Sequence, residues 1–199
     1  MTVGTRAAEW GSKPSERREC IARAGRACVA RKGPHKVTVT DVTREAGITR
    51  ELFYYYYHDR SDILSAVLDT YLADVRKLLS EALAPLFEAQ RGTAWGARFD
   101  ALVAVMGALR SWTELDQDAA CPMKAVFGEL DLWPAMVHRA SGIAVTMLGE
   151  AGFVSNVGME EGAAGLGRVI ALVGAVDFML CRPDIGDDEL AIGIMPVFS

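Results

Sequence analysis

The segment Ala46-Gly47-Ile48-Thr49 constrains this chain more than any other. It separates two short stretches with helical patterning, about Thr38 to Ala46 and Arg50 to Tyr57. Glycine permits the left-handed conformation that ends the first stretch, Ile48 is suited to plug the corner, and Thr49 carries the hydroxyl of an N-cap. Thr38 is the expected cap of the first stretch, with Asp41 three residues on, where a carboxylate bonds back and meets the positive helix end. Val39, Val42 and Ala46 share one face. Two short helices meeting through such a turn form a helix-turn-helix, although an ordinary helical corner needs no more than this.

The second stretch is unusual. Leu52 is followed by five consecutive aromatics, Phe53-Tyr54-Tyr55-Tyr56-Tyr57. At about 100° per residue, Phe53, Tyr56 and Tyr57 share one buried face, whereas Tyr54 and Tyr55 look outward. Paired exposed tyrosines suggest a partner: their hydroxyls bond phosphates and their rings touch thymine methyl groups. The charge distribution points the same way. Residues 1–60 carry 12 Lys/Arg against 7 Asp/Glu, and residues 61–199 carry 9 against 19. A basic head on an acidic body expects a polyanion at the head only.

Around this segment strand signals are almost absent, and helical periodicity broken by Gly and Pro predicts an all-α chain. Residues 1–14 read as a flexible arm. A first helix runs from about Ser15, as N-cap, to Lys32, with Ile21, Ala24 and Cys28 inward, and Gly33-Pro34 ends it. A long helix starts near Ser61 and continues towards Ala84, where Pro85 ends or kinks it. Further helices are expected over about 94–111, 119–130, 134–151, 160–181 and 187–194, with a break over Gly152 to Gly158. The expected organisation is the arm, a basic head over 15–60 that carries the two short helices, and a larger helical body over 61–199.

Several classes are excluded. Apolar residues make up 51% of the 199, too many for a disordered chain. No apolar run approaches the ~20 residues of a membrane span, and residues 1–19 lack a signal-peptide core, so a cytoplasmic protein is expected. Cys20, Cys28, Cys121 and Cys181 form no C-x-x-C pair, and His35, His58 and His138 lie far from them in sequence. Free, mostly buried thiols are expected, with no metal and no cofactor. No nucleophile–base pair or phosphate loop marks a catalytic residue.

Residues 17 to 68 resemble the TetR family of bacterial transcriptional regulators. The resemblance rests on Ile21-x-x-Ala24-Gly25-x-x-Cys28 leading to Gly33, on Val37-Thr38-Val39-Thr40-Asp41-Val42, on Ala46-Gly47-Ile48-Thr49 and Phe53-Tyr54, and on Tyr57-His58-Asp59-Arg60-Ser61-Asp62-Ile63-Leu64. It implies that the head over 15–60 is an N-terminal three-helix helix-turn-helix DNA-binding domain and the body over 61–199 an effector-binding and dimerisation domain. The implied DNA-facing set is Thr38, Thr40, Thr49, Arg50, Tyr54, Tyr56 and Arg60. Tyr56 stands where the family often has a phosphate-binding histidine. Arg60, at the start of the fourth helix, stands where it usually has lysine and is expected to hold a phosphate. Three positions depart from the pattern. Glu51 replaces a small residue, Leu52 replaces threonine, and Tyr57 replaces phenylalanine, so its hydroxyl needs a partner at the core edge. Glu51 either reads a cytosine amino group or bonds locally to Arg50 or the backbone.

The resemblance also implies a ligand cavity in the acidic body and a two-fold dimer through the last two long helices, about 134–151 and 160–181. Small residues along the second of these, Gly165, Gly167, Ala171 and Gly174 among them, suit close approach of another backbone. Met and aromatic side chains line apolar cavities, which makes Trp95, Phe99, Met106, Trp112, Met123, Phe127 and Met147 the candidate ligand-binding residues. A small hydrophobic effector, neutral or cationic, is expected. The chain thus reads as a homodimeric repressor released from double-stranded operator DNA by an apolar ligand. The alternative is an all-α small-molecule carrier or enzyme with a vestigial DNA-binding head.

Overall fold

The computed structural model describes residues 13–88, 95–151 and 163–198. Every regular element among them is an α-helix: α1 Pro14–Lys32, α2 Val39–Ala46, α3 Arg50–Tyr56, α4 Arg60–Glu88, α5 Trp95–Thr113, α6 Met123–Glu129, α7 Trp133–Glu150, α8 Ala163–Cys181 and α9 Asp187–Phe198. None is long and apolar enough to cross a membrane. Nearly all of the expected arm and the expected break at Gly152 to Gly158 lie outside the described residues.

Several helix ends differ from the sequence expectation. α1 begins at Pro14 with Lys13, not Ser15, as its N-cap. Proline suits the first helical position because its missing N–H would have no helical partner there, and the Glu16 carboxylate accepts from the Lys13 N–H at 3.3 Å. α4 runs through Pro85 to Glu88, and α9 continues through Pro196 to Phe198. Both prolines are exposed, so the carbonyl each leaves unbonded one turn earlier turns to water and the helix persists. α6 starts only at Met123. Pro122 is its N-cap, and the preceding stretch holds Asp116 at φ 58°.

The chain divides into two compact units, one comprising the segment to Tyr71 together with Leu115–Asp131, the other Leu72–Glu114 and Leu132–Ser199. In the first, Ile21, Cys28, Val29, Val42, Phe53, Tyr57, Ile63 and Val67 are buried. Gly25 lets α1 and α4 approach closely: a Cβ there would lie 3.0 Å from Val67 Cγ2 and 3.2 Å from Ile63 Cγ1. The Tyr57 hydroxyl finds its partner in the Arg18 carbonyl, to which it donates at 2.7 Å. Residues 115–131 are strapped onto α1. The Cys121 N–H donates to the Ala30 carbonyl at 2.8 Å. Asp116 Oδ2 accepts from Tyr71 Oη at 2.9 Å and Arg26 Nε at 3.2 Å. The Arg26 guanidinium lies 3.8 Å from the centre of the Tyr71 ring, and burial pushes the Tyr71 hydroxyl well above its ordinary pKa.

The second unit has its core in Leu102, Met106, Leu109 and Trp112 of α5, Ala140, Ala144 and Leu148 of α7, Leu172 and Val176 of α8, and Leu190 and Phe198 of α9. Arg110 ties α5 to the start of α9, donating to Asp187 Oδ1 at 2.7 Å and to the Ile185 carbonyl at 2.8 Å. All four cysteines are free, but only Cys28 is buried, where burial raises its thiol pKa; Cys181 is exposed. The expectation of mostly buried thiols therefore fails for the other three, which lie nearer the surface of their elements.

Candidate nucleic-acid interface

α2 and α3 are held by local chemistry. The Thr38 hydroxyl accepts from the Asp41 N–H at 3.2 Å, and Asp41 Oδ2 accepts in return from the Thr38 N–H at 3.1 Å. Lys32 Nζ stands 2.6 Å from Asp41 Oδ1. Lys32, with the Thr38 donors after it, holds the Asp41 carboxyl down at about 2. At the other end of α2, Gly47 is left-handed (φ 68°, ψ 36°) and the Ile48 N–H donates to the Thr43 carbonyl at 2.9 Å. This is the Schellman closure that stops a helix. Thr49 then caps α3, its hydroxyl accepting from the Leu52 N–H at 3.2 Å.

Phe53 is fully buried beneath α3, with the Tyr57 ring 5.7 Å away. That anchor turns Arg50, Glu51, Tyr54 and Tyr55 outward, with Tyr54 47% and Tyr55 76% exposed. Thr38 and Thr40 are exposed at the start of α2. Tyr56 is half-buried, its ring 5.0 Å edge-on from Tyr55. Tyr55 therefore presents more surface than Tyr56, as the angular arithmetic along a helix already indicated. Glu51 bonds locally: the N–H of its own residue, then the Thr49 hydroxyl, hold its carboxyl below the ordinary range. Lys36 and His35 are exposed in the turn between α1 and α2.

Arg60, expected to hold a phosphate, has a partner within its own chain. It is half-buried at the start of α4, its Nη2 donates to the Pro34 carbonyl, and its Nε is buried without a partner. The guanidinium thus braces the α1–α2 turn.

The expected ligand residues are divided between the two units. Met106 and Trp112 of α5 and Met147 of α7 are buried in the second unit, and Phe99 is half-buried there. Met123 and Phe127 belong to the first unit, with Phe127 edge-on to Tyr71 at 5.3 Å. The Trp95 side chain lies outside the described residues. An open groove of about 380 Å³ runs between α8 and α9, lined by Phe178, Ile185, Glu189, Leu190 and Ile194 among others. No expected ligand residue lines it.

A capped helix, a left-handed glycine turn and a second helix with a polar, aromatic outer face define a helix-turn-helix DNA-binding domain. Residues 21–67 match the sequence model of the bacterial regulatory proteins, tetR family, and the head of this chain is a tetR-family head. The fatty acid degradation regulator FadR from Bacillus halodurans has a similar structure. It is 16% identical over 94% of each chain, with a TM-score of 0.51, which extends the shared fold to most of the molecule. SmeT, the repressor of the Stenotrophomonas maltophilia multidrug efflux pump SmeDEF, is 17% identical over 90% of this chain and 86% of its own, with a TM-score of 0.42. No curated protein sequence matches. The chain thus carries a head that matches the tetR-family model and, over most of its length, the fold that FadR has.

Proposed function

We propose that the chain acts as a homodimer that holds operator DNA and releases it when a small apolar ligand enters the second unit. The observation that carries this reading is the outer face of α2 and α3, where Thr38, Thr40, Thr49, Arg50 and Tyr54 stand exposed on a rigidly capped frame. Dimerisation is supported by a second surface. Leu166, Ile170, Gly174 and Phe178 recur every four residues along α8 and are exposed, Ile170 by 59%. Ile192 and Val197 of α9 are exposed as well. α7 instead exposes His138 and Arg139, so the apolar face falls on α8 and α9 more than on the expected 134–151 segment. Large exposed apolar rows mark association surfaces.

Mobility shift on DNA flanking the protein's own gene tests binding, and sedimentation tests assembly. Gly167 is a useful site for the latter, since a Cβ there meets nothing within 4 Å of its own chain. Gly167→Leu and Ile170→Glu should leave the fold intact, give monomers and lose operator affinity, because two linked heads bind far more tightly than one. Dimers that persist in both variants would move the interface elsewhere.

A further inference from the structure

Side-chain hydroxyls buried in helices ordinarily bond back to a carbonyl of the preceding turn. Thr43 bonds the Thr40 carbonyl at 3.1 Å, Thr113 the Arg110 carbonyl at 2.8 Å and, one turn along α7, Thr146 the Gly142 carbonyl at 3.0 Å. Ser141 departs from this pattern. It is fully buried on the inner stripe of α7, between Val137, Ala140, Ala144 and Leu148, and its Oγ has no hydrogen-bond partner. A second group on the neighbouring helix behaves likewise. α8 packs against α7, and its inner stripe runs Gly165, Arg168, Leu172, Ala175, Val176 and Met179. Arg168, half-buried, brings a cation to the edge of that stripe, and its Nε is buried without a partner. Other cations of the same unit have acceptors: Arg110 holds Asp187, and Arg182 holds Asp184.

Two unused donors therefore sit on the inner faces of two packed helices that are otherwise Ala, Gly, Val, Leu and Met. Buried donors without acceptors are costly, and a half-buried guanidinium with a free Nε favours an anion beside it. We propose that Ser141 and Arg168 are the polar anchors of the effector site in the second unit, and that the effector is an apolar molecule ending in a carboxylate. Arg168 would serve as its counter-ion and Ser141 as a hydroxyl donor, with the small apolar residues around them enclosing its body. The sequence expectation of a neutral or cationic ligand is thereby reversed: the overall negative charge of the body says less than the cation on the inner stripe of α8. This inference rests on the reading of the chain as a ligand-responsive regulator.

Three probes of one shape and different head group test it: 4-butylbenzoate, 4-butylbenzyl alcohol and 4-butylbenzylamine, titrated calorimetrically into the full chain. The benzoate should bind at least tenfold more tightly than the alcohol, and the amine most weakly. Arg168→Gln should bring the benzoate down to the alcohol's affinity while leaving the alcohol unchanged. Ser141→Ala should weaken the benzoate by about fivefold and raise the ligand-free melting temperature, since the unbonded hydroxyl is gone. Preference for the alcohol or amine, no binding of any probe, or unaltered benzoate affinity in both variants would overturn the assignment. Operator binding without ligand is measured in parallel on the wild type and both variants. Its absence from the wild type would count against the regulator reading and leave the probe result to decide the site.

Discussion

The hydroxyl of Tyr57 offers the sharpest test of how the DNA-binding head is built. Tyr57→Phe removes one oxygen from a ring that is 1% exposed and keeps everything else in place. The lost bond, 2.7 Å to the Arg18 carbonyl, has a net worth of about 0.5–1.5 kcal/mol. The lower half of that range would apply if the carbonyl were satisfied by the α1 ladder alone. The short distance and the buried hydroxyl favour a value near 1 kcal/mol. The Arg18 guanidinium, 4.6 Å from the ring centre, stays over phenylalanine as it does over tyrosine. If the first unit melts by itself, 1 kcal/mol lowers its midpoint by about 4–8 °C, and by about 2–4 °C if the whole chain unfolds together. Scanning calorimetry of Tyr57→Phe beside Tyr54→Phe decides the matter, because Tyr54 is 47% exposed where Tyr57 is buried. A Tyr57→Phe midpoint within 1 °C of wild type, or an equal loss in both variants, would refute the bond's contribution. The alkaline limb adds a second reading. Burial pushes the Tyr57 hydroxyl up to about 12, above its ordinary value near 10, so its contribution is complete below pH ~10 and fades as pH rises through 12. Tyr57→Phe should flatten that limb.

Three other outcomes are expected. Arg60→Ala should weaken operator binding without altering its salt slope, since the guanidinium braces the Pro34 carbonyl; a slope smaller by about one would reveal a phosphate contact instead. Glu51→Ala should raise affinity for many sequences alike, because its carboxylate is tied to its own backbone and Thr49; selection from random DNA that returns a changed base at one position would show that it reads that base. Asp41, held at about 2, stabilises the head above its unfolded value near 4, and that contribution disappears as pH falls from 4 through 2. Lys32→Ala should therefore move the acid transition of the head to higher pH, and an unmoved transition by circular dichroism would break the link.

The head was legible because its determinants are close in sequence. Thr38 and Asp41, Thr43 and Ile48, and Thr49 and Leu52 meet within three to five residues of one another, so spacing alone fixes them. Arg60 was not legible, because the oxygen its guanidinium meets belongs to Pro34, 26 residues away. Met123 and Phe127 were assigned to a ligand cavity on composition, yet their place depends on Cys121 meeting Ala30 and on Tyr71 meeting Asp116. Pro85 and Pro196 carried a local stop signal that an exposed position overrode. Ser141 and Arg168 drew no notice in the sequence because a serine or arginine in a helix is ordinary until its lack of a partner is seen.

Residues 115–131 have a consequence for modularity. The head is assembled from two stretches of chain that are separated by the whole of α5 and most of α4. A fragment ending at Tyr71 would contain every DNA-facing residue and still be incomplete. It would leave the Ala30 carbonyl without Cys121, Arg26 without Asp116, and the Tyr71 ring bare where Phe127 covers it. Such a head cannot be lent to another protein as a single cassette. Whatever recombination shuffles around it, the chain must leave the head, form a helix of the other unit and come back before the head is whole.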